Sequence, residues 1–455
     1  MAKTIGIFHF QVGRTDGVSL EIDKWRRVLE GMGHTVHLCA GDIGTADGAT
    51  LIEEMYHHRE DAHRLYNNTF VALDDYDGDA AYRAELYERA DVLEAKFRAF
   101  IEEKGIDFII PQNVWSVAAH PSVAIAITRV MRDLQIPALA HNHDFYFERT
   151  TGVALTCKTA VELADLYLPP RDPLARHVVI NSLGQRQLLT RKGLPSTVVP
   201  NIFDFEEPPW TVDDYNRDFR ERIGLKENDI LVLQATRIVE RKGIELAVDV
   251  VEALGSPERR AQLAARGLFD GRTFDDDSRI VFVLAGYARD DTTGGYVRRL
   301  KERIARAGID VLFIEDIIDS SRDTRDGQKI YALWDTYVFA DLVTYPSLWE
   351  GWGNQLLEAV YARQPIVIYE YPVFKADIKG NGFEILSLGD EVAGRDDLGL
   401  VEVAPEVIEA AADEAVVVLT NGEARDQMVE RNFQIGREHY SMAALEKYLG
   451  ELVGK

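Results

Sequence analysis

Two glutamates in the stretch YPSLWEGWGNQLLEAVYARQPIV, Glu350 and Glu358, have the chemistry of a ligand site. DLVTYPS before them predicts a strand, LWEGWG a loop and NQLLEAVYAR a helix with one apolar face. Gly351 and Gly353 free the loop backbone, so that several amides can meet an anion such as a diphosphate at the start of the helix. Glu358 is then placed to accept hydrogen bonds from the vicinal hydroxyls of a ribose, and Glu350 can reach a second polyol or a developing positive charge. A merely acidic surface is the alternative, but it does not account for the glycines together with the strand.

A pair of cations follows another predicted strand, DILVLQAT. In ATRIVERKGIELAV, Arg237 and Lys242 flank a turn that opens a helix. Arginine offers fork-shaped hydrogen bonds and lysine a point charge, a combination that suits a diphosphate. Two solvated surface charges would give the same pattern, so this pair alone leaves both interpretations open.

The loop after the first predicted strand, QVGRTDGVSL, contains Gly13 and Gly17. These glycines allow close backbone approach, and the following helix directs amides toward whatever lies above the sheet. The loop lacks the G-x-G-x-x-G spacing of a dinucleotide fingerprint and the lysine of a Walker motif. The sequence therefore leaves two alternatives here, an anion site or an ordinary turn.

The elements that must position these loops are parallel strands alternating with helices. Such a pattern is typical of α/β sheets, which bind ligands at the carboxyl ends of their strands. NIFDFEEPPW interrupts the series and predicts a linker, because Pro208 and Pro209 continue neither a central strand nor a helix. The predicted strands are residues 4–10, 34–40, 107–112, 137–142, 177–182 and 197–201 before the linker, and 229–236, 279–286, 311–316, 341–347 and 365–370 after it.

Composition restricts the function further. The chain has 455 residues, 46% of them hydrophobic, which favours two globular domains. A formal charge of −25 argues against binding to nucleic acid or to an anionic membrane surface. Only Cys39 and Cys157 are present, and the amino terminus does not read as a signal peptide, so we expect a reducing cytoplasmic setting. The sequence does not indicate an oligomeric state.

The motif from Glu350 to Glu358 resembles the E-x7-E motif of family-4 glycosyltransferases of the GT-B fold. The segments GVSLEIDKWRRVLEGMGHTVHL, HVVINSLGQRQLL, VVPNIFDFE and TRIVERKGIELAV resemble other landmarks of that family in the same order. The resemblance implies two facing Rossmann-like domains with a central cleft and a carboxy-terminal helix that crosses back. We accordingly expect an acceptor-binding domain at 1–202, completed by 433–455, and a domain for the nucleotide-sugar donor at 203–432.

Carried over residue by residue, the resemblance implies roles for the residues already singled out. Arg237 and Lys242 would hold the diphosphate, Glu350 the transferred sugar and Glu358 the ribose. The phosphate cradle would be completed by backbone amides near Gly17, Trp352, Gly353, Asn354 and Gln355. Members with this motif usually retain anomeric configuration, with the departing phosphate accepting the proton of the acceptor. No cofactor or essential metal is implied.

The acceptor side departs from the family pattern, because many members have a histidine after the strand that corresponds to DFIIPQ. Gln112 or Asn113 would replace it, or the next loop, HNHDFYFER, would supply the contact. We predict His143 as a reaction-site residue, and the predicted acceptor contacts are Gln112, Asn113, His141, Asp144 and Arg149. A second departure is YEYPVFKADIKGNGFEIL, where the commoner family pattern has a glycine pair followed by Pro-Glu. Tyr371, Lys375 and Asp377 lie in this region, which could touch the donor or the acceptor, and no role can be carried over to them.

The predicted activity is hexosyl transfer from a nucleotide sugar to a small polar acceptor. HNHDFYFER, VPNIFDF and EYPVFKADI resemble enzymes that build mannosyl or glucosyl compatible solutes such as mannosylglucosylglycerate. This resemblance favours GDP-mannose and an acceptor such as a glycerate glycoside. UDP-glucose with a sugar or sugar phosphate is the alternative. A nucleotide-sugar epimerase or a silent nucleotide-binding module remains a hypothesis from another class.

Overall fold

The structure, a computed structural model, describes residues 2–148, 153–287 and 294–454. The chain divides into two compact units, one formed by Met1–Ile202 with Met442–Lys455 and the other by Phe203–Ser441. Residue 433, where we expected the chain to return to the first domain, lies inside an unbroken helix, Gly422–His439. The return point is therefore Met442, because the break between the two carboxy-terminal helices comes only after that helix ends.

The first unit is a parallel α/β fold. Its elements before the second unit begins are β1 (Thr4–His9), α1 (Gly17–Gly31), β2 (Thr35–Ala40), β3 (Thr50–Leu51), α2 (Glu60–Phe70), α3 (Asp79–Lys104), β4 (Phe108–Pro111), α4 (Val114–Val117), α5 (Pro121–Asp133), β5 (Ala138–Asn142), α6 (Lys158–Tyr167), β6 (Ala175–Val179), α7 (Ser182–Lys192) and β7 (Ser196–Val198).

The seven strands of the first unit lie in the order β3-β2-β1-β4-β5-β6-β7, and every pair is parallel. Side chains of β1 alternate between the two faces. Ile5 and Ile7 join an apolar cluster with Trp25 of α1. Phe8 joins the opposite cluster, where its ring meets that of Phe97 of α3 edge to face at 5.4 Å. Because helices cover both faces, the central strands β1, β4 and β5 are buried along nearly their whole length, as the continuous apolar runs in their sequences predict.

The second unit repeats this plan with two small additional sheets. Its elements are α8 (Phe219–Arg222), β8 (Ile230–Gln234), α9 (Ile244–Leu254), α10 (Pro257–Arg266), β9 (Ile280–Leu284), α11 (Gly295–Ala307), β10 (Asp310–Phe313), β11 (Ile318–Asp319), β12 (Asp323–Arg325), β13 (Gln328–Ala332), α12 (Leu333–Val338), β14 (Leu342–Tyr345), α13 (Asn354–Tyr361), β15 (Ile366–Ile368), β16 (Leu386–Ser387), β17 (Gly394–Arg395), β18 (Val401–Glu402), α14 (Pro405–Thr420) and α15 (Gly422–His439).

The main sheet of the second unit has the order β10-β9-β8-β14-β15-β16, all parallel. The strand order reverses direction between β8 and β14, as it does between β1 and β4 in the first unit. At such a switch point the two connections leave on opposite faces and open a crevice above the carboxyl ends of the strands. The loops that carry Lys242 and Glu350 both leave this point in the second unit.

The remaining helix, α16 (Met442–Leu452), belongs to the first unit. Leu445 and Leu449 lie in the same apolar cluster as Trp25. Beyond the helix, the carbonyl oxygen of Gly454 lies 3.2 Å from His34 Nε2. Among the described residues, no helix has the length and apolar character needed to span a membrane.

Candidate functional site

The carboxylate of Glu350 lies between two cations at the switch point of the second unit. Its Oε1 accepts a hydrogen bond from Lys242 Nζ, and its Oε2 accepts one from Arg241 Nη1 at 2.8 Å. Lys242 is only 3% exposed and Glu350 only 9%. This ion pair is therefore largely withdrawn from water, which strengthens the attraction between the charges.

These neighbours determine the protonation of Glu350. Burial acts to raise the pKa of this carboxyl, but the charges of Lys242 and Arg241 outweigh it and hold the pKa below its ordinary value of 4.5. Burial in turn lowers the pKa of Lys242, against the attraction of Glu350. An ionised carboxylate accepts hydrogen bonds and does not donate protons, so Glu350 suits polyol binding better than general acid catalysis.

The two residues of the predicted cation pair lie in the same loop, and their charges act on each other. Lys242 reaches Glu350, whereas Arg237 lies half-buried earlier in the same loop and acts on Lys242 as a like charge that lowers its pKa. The loop itself packs backbone to backbone against the loop that carries Glu350. Gly243 has φ +57°, and a β-carbon there would lie 2.4 Å from the carbonyl oxygen of Pro346. Only glycine fits this turn without displacing the neighbouring loop.

Glu358 projects from α13 toward a buried tyrosine. The hydroxyl of Tyr337 donates a hydrogen bond of 2.9 Å to Glu358 Oε2. Tyr337 is fully buried, and burial, with the Glu358 charge adding to it, raises the pKa of its phenol well above 10. Tyr337 therefore stays protonated and donates to the carboxylate, fixing one oxygen of the residue that we predicted to hold a ribose.

The loop between Glu350 and α13 is held in a conformation that requires glycine. Gly353 has φ +132°, and a β-carbon there would lie 2.0 Å from the hydroxyl oxygen of Tyr371. That hydroxyl donates a 2.8 Å hydrogen bond to the carbonyl of Trp352. α13 begins at Asn354, so Asn354 and Gln355 occupy its first turn, where helix amides have no acceptor within the helix.

At the corresponding edge of the first unit, Asp16 caps α1. Its Oδ1 accepts hydrogen bonds from the amides of Val18 and Ser19, both at 3.1 Å. Gly17 is exposed at the first position of the helix. Two of the amides near Gly17 are thus already occupied by a carboxylate of the chain itself, which the glycine pattern could not indicate.

Gln112 and Asn113 follow β4 and do converge with His143, which follows β5. Asn113 Oδ1 accepts a 2.7 Å hydrogen bond from the amide of His143, and Gln112 Oε1 lies 3.4 Å from His143 Nε2. Burial lowers the pKa of His143 to about 3. At neutral pH the imidazole is therefore uncharged, and it can offer hydrogen bonds but not a positive charge.

The other predicted acceptor residues are placed differently. His141 is 1% exposed, and its ring stacks on that of Trp25 at 4.2 Å and meets that of His143 at 4.2 Å. Asp144 is exposed. Arg149 lies outside the described residues. Within the described ranges, no three His, Cys, Asp or Glu side chains converge as a metal site requires.

Known proteins resemble this chain over nearly its whole length. Residues 216–435 match the sequence profile described as Glycosyl transferases group 1. A mannosylglucosylglycerate synthase of Petrotoga mobilis is 35% identical over 443 residues, which is 97% of this chain and 99% of the relative. The chain belongs to the group 1 glycosyltransferases. A synthase of the same name from Thermotoga maritima is also 35% identical, over 450 residues and 99% of each protein.

The fold of this glycosyltransferase is GT-B, as the sequence predicted. A crystal structure of a glycosyltransferase from Rickettsia africae matches it with a TM-score of 0.62 at 12% identity, covering 99% of this chain and 97% of that one. At so low an identity the likeness concerns the fold alone. The predicted resemblance to a glycosyltransferase family is confirmed by the matching profile and by the two relatives that are 35% identical to this chain.

Sequence reasoning missed several residues of this glycosyltransferase. Arg241 contacts Glu350 directly. The one sequence feature that could have identified Arg241 was its position beside Lys242. His9 ends β1, is 5% exposed, and its Nδ1 lies 2.7 Å from the carbonyl oxygen of Gln112. His9 could have been identified from the sequence, because it is a polar residue at the end of a buried strand beside a switch point. The role of Tyr337 could not be recognised from the sequence, because its partner, Glu358, lies 21 residues away.

Proposed function

We propose that this glycosyltransferase moves a mannosyl group from GDP-mannose to a small polar acceptor of the glycerate-glycoside class, with retention of anomeric configuration. One observation carries the proposal: two proteins named mannosylglucosylglycerate synthase are 35% identical to this chain over nearly their whole length. The identity extends over both units, and on this proposal each unit binds one of the two substrates. The simplest expectation is therefore that this chain and the two synthases use the same class of acceptor.

On this proposal the second unit binds the nucleotide sugar. Glu358, fixed by Tyr337, accepts hydrogen bonds from the ribose hydroxyls, and Glu350 accepts them from the hydroxyls of the sugar. Arg237 and Lys242 supply positive charge toward the diphosphate, and amides at the start of α13 add hydrogen bonds. Charge develops on the departing diphosphate, so cations and amides at that place lower the barrier without an essential metal.

The proposed acceptor residues are those near the carboxyl ends of β4 and β5. Gln112, Asn113 and a neutral His143 offer hydrogen bonds suited to hydroxyl groups, with Asp144 at the exposed rim. No side chain of the chain needs to form a covalent intermediate. The proton of the acceptor hydroxyl passes to the departing phosphate, which becomes a better leaving group as it accepts it.

The proposal is tested by incubating the protein with GDP-mannose or UDP-glucose, each with and without glycerate, glucosylglycerate and glucose 6-phosphate. We expect GDP release coupled to a new glycoside only when glucosylglycerate is present, with an α-anomeric proton in the NMR spectrum of the product. Release of UDP would identify the glucosyltransferase alternative. Conversion without acceptor would indicate an epimerase, and binding without turnover would indicate a silent module.

A further inference from the structure

Tyr371 lies where the family resemblance left no role to carry over, in the segment that replaces a glycine pair. It is fully buried. Its backbone is anchored on both sides, because its amide donates to the carbonyl of Tyr369 at 2.8 Å and its carbonyl accepts from the amide of Lys375 at 3.1 Å. The phenol ring therefore points in a fixed direction, and its hydroxyl donates to the carbonyl oxygen of Trp352 at 2.8 Å.

This hydrogen bond determines where the next amide points. In a planar trans peptide the carbonyl and the amide lie on opposite sides, so a Trp352 carbonyl turned toward Tyr371 directs the Gly353 amide away from it. In the part of the chain that the structure describes, the Gly353 amide donates to no backbone carbonyl. Gly353 directly precedes α13, so its amide lies beside the first-turn amides of that helix.

The two residues also fit each other sterically. The Tyr371 hydroxyl occupies the space that a β-carbon at position 353 would need, and the φ of +132° is one that other residues rarely adopt. The side chain of Trp352 is held separately, with its ring edge to face against that of Tyr440 at 5.2 Å. Two contacts thus hold the peptide between Trp352 and Gly353 in place: the hydrogen bond from Tyr371 to the Trp352 carbonyl and the packing of the Trp352 indole against Tyr440.

We propose that Tyr371 is a positioning residue that aims the Gly353 amide at the diphosphate of the nucleotide-sugar donor. This inference rests on the proposed function, since it assumes that a diphosphate binds at the start of α13. Tyr371 itself touches no substrate. It acts through one carbonyl, that of Trp352, whose orientation it fixes.

The test is Tyr371→Phe, which keeps the ring and removes only the hydroxyl. The matched control is Tyr369→Phe, because Tyr369 is also buried and its hydroxyl also donates to a carbonyl, that of Asp390 at 3.0 Å, but it does not contact the loop. Binding of GDP and of UDP is measured by titration calorimetry for the wild type and both variants. Melting temperatures and the kinetics with both substrates are recorded in parallel.

We expect Tyr371→Phe to weaken binding of the preferred nucleoside diphosphate about fivefold, the effect of one lost hydrogen bond. The KM for the nucleotide sugar should rise by a similar factor, while the KM for the acceptor and the melting temperature relative to Tyr369→Phe stay unchanged. Unchanged nucleotide affinity in Tyr371→Phe, or an equal loss in both variants, would overturn the inference and leave the proposed function intact. Failure of the wild type to bind either nucleotide would overturn the proposed function and the inference with it.

Discussion

Replacing Lys242 by methionine tests the buried ion pair most directly, since methionine keeps most of the apolar stem and removes the charge. The side chain of Lys242 is 4% exposed and that of Glu350 11%. Removing one partner of a buried pair costs about 3–5 kcal/mol of the free energy of unfolding. Arg241 remains at 2.8 Å, which places the expected cost at the lower end, about 3 kcal/mol.

For a folding unit of this size, a loss of about 3 kcal/mol corresponds to a fall of roughly 6–12 °C in melting temperature. Two controls separate charge from packing. Arg241→Met should cost about 1 kcal/mol or less, because the Arg241 side chain is 35% exposed and partly screened by solvent. The double variant Lys242→Met with Glu350→Gln should be more stable than Lys242→Met alone, since it removes the buried carboxylate charge that Lys242 no longer compensates.

The assay is thermal and urea denaturation followed by circular dichroism at several pH values. Because Lys242 and Arg241 hold the pKa of Glu350 below 4.5, the pair stabilises the protein above about pH 4.5 and loses its effect as the pH falls through the lowered pKa. The loss of stability in Lys242→Met, relative to the wild type, should therefore shrink as the pH falls below about 4.5 and Glu350 becomes protonated. A melting temperature equal to that of Arg241→Met at pH 7 would refute the reasoning.

Three further predictions concern other parts of the two units. Glu358→Ala should weaken nucleotide binding about tenfold in calorimetric titrations, because one or two charge-assisted hydrogen bonds are lost; wild-type affinity would remove Glu358 from the site. The pKa of His143 is lowered to about 3 from 6.5, so the stability that the neutral imidazole contributes is complete above pH 6.5 and is lost as the pH falls toward 3. His143→Gln should therefore flatten the plot of melting temperature against pH across that range. An unchanged slope would contradict this prediction. Gly243→Ala should destabilise the protein by about 2 kcal/mol more than Gly308→Ala in urea denaturation, since both have φ near +60° but only Gly243 lacks room for a β-carbon; equal losses would show that the neighbouring loop yields.

The sequence predicted the strands of both main sheets that are buried on both faces, because continuous apolar runs leave few alternatives. It did not predict β3 or β16, which have two residues each at the sheet edges. Such short strands form because a neighbouring strand offers free hydrogen-bonding groups, and this depends on tertiary structure rather than on local pattern.

The sequence pointed to candidate site residues but not to the contacts that they make. Glu350 and Lys242 meet because the turn at Gly243 brings two loops into backbone contact, and no spacing within either loop shows this. Arg241 and Arg237 both precede that turn, and the spacing does not show that Arg241 contacts Glu350. In the first unit, the capping of α1 by Asp16 uses amides that the glycine pattern suggested for an anion. These outcomes follow from tertiary geometry, which a single sequence does not record.

The discontinuity of the first unit has a consequence for biosynthesis. α16 supplies Leu445 and Leu449 to the apolar cluster around Trp25, yet it is translated only after the whole of Phe203–Ser441. During translation, the face of the first sheet that carries α1 therefore remains uncovered at that cluster until α16 has been synthesised. The second unit is one contiguous segment, so it can fold as soon as it has emerged. The unit that is synthesised first is thus completed last, and in that interval its exposed apolar face is open to aggregation.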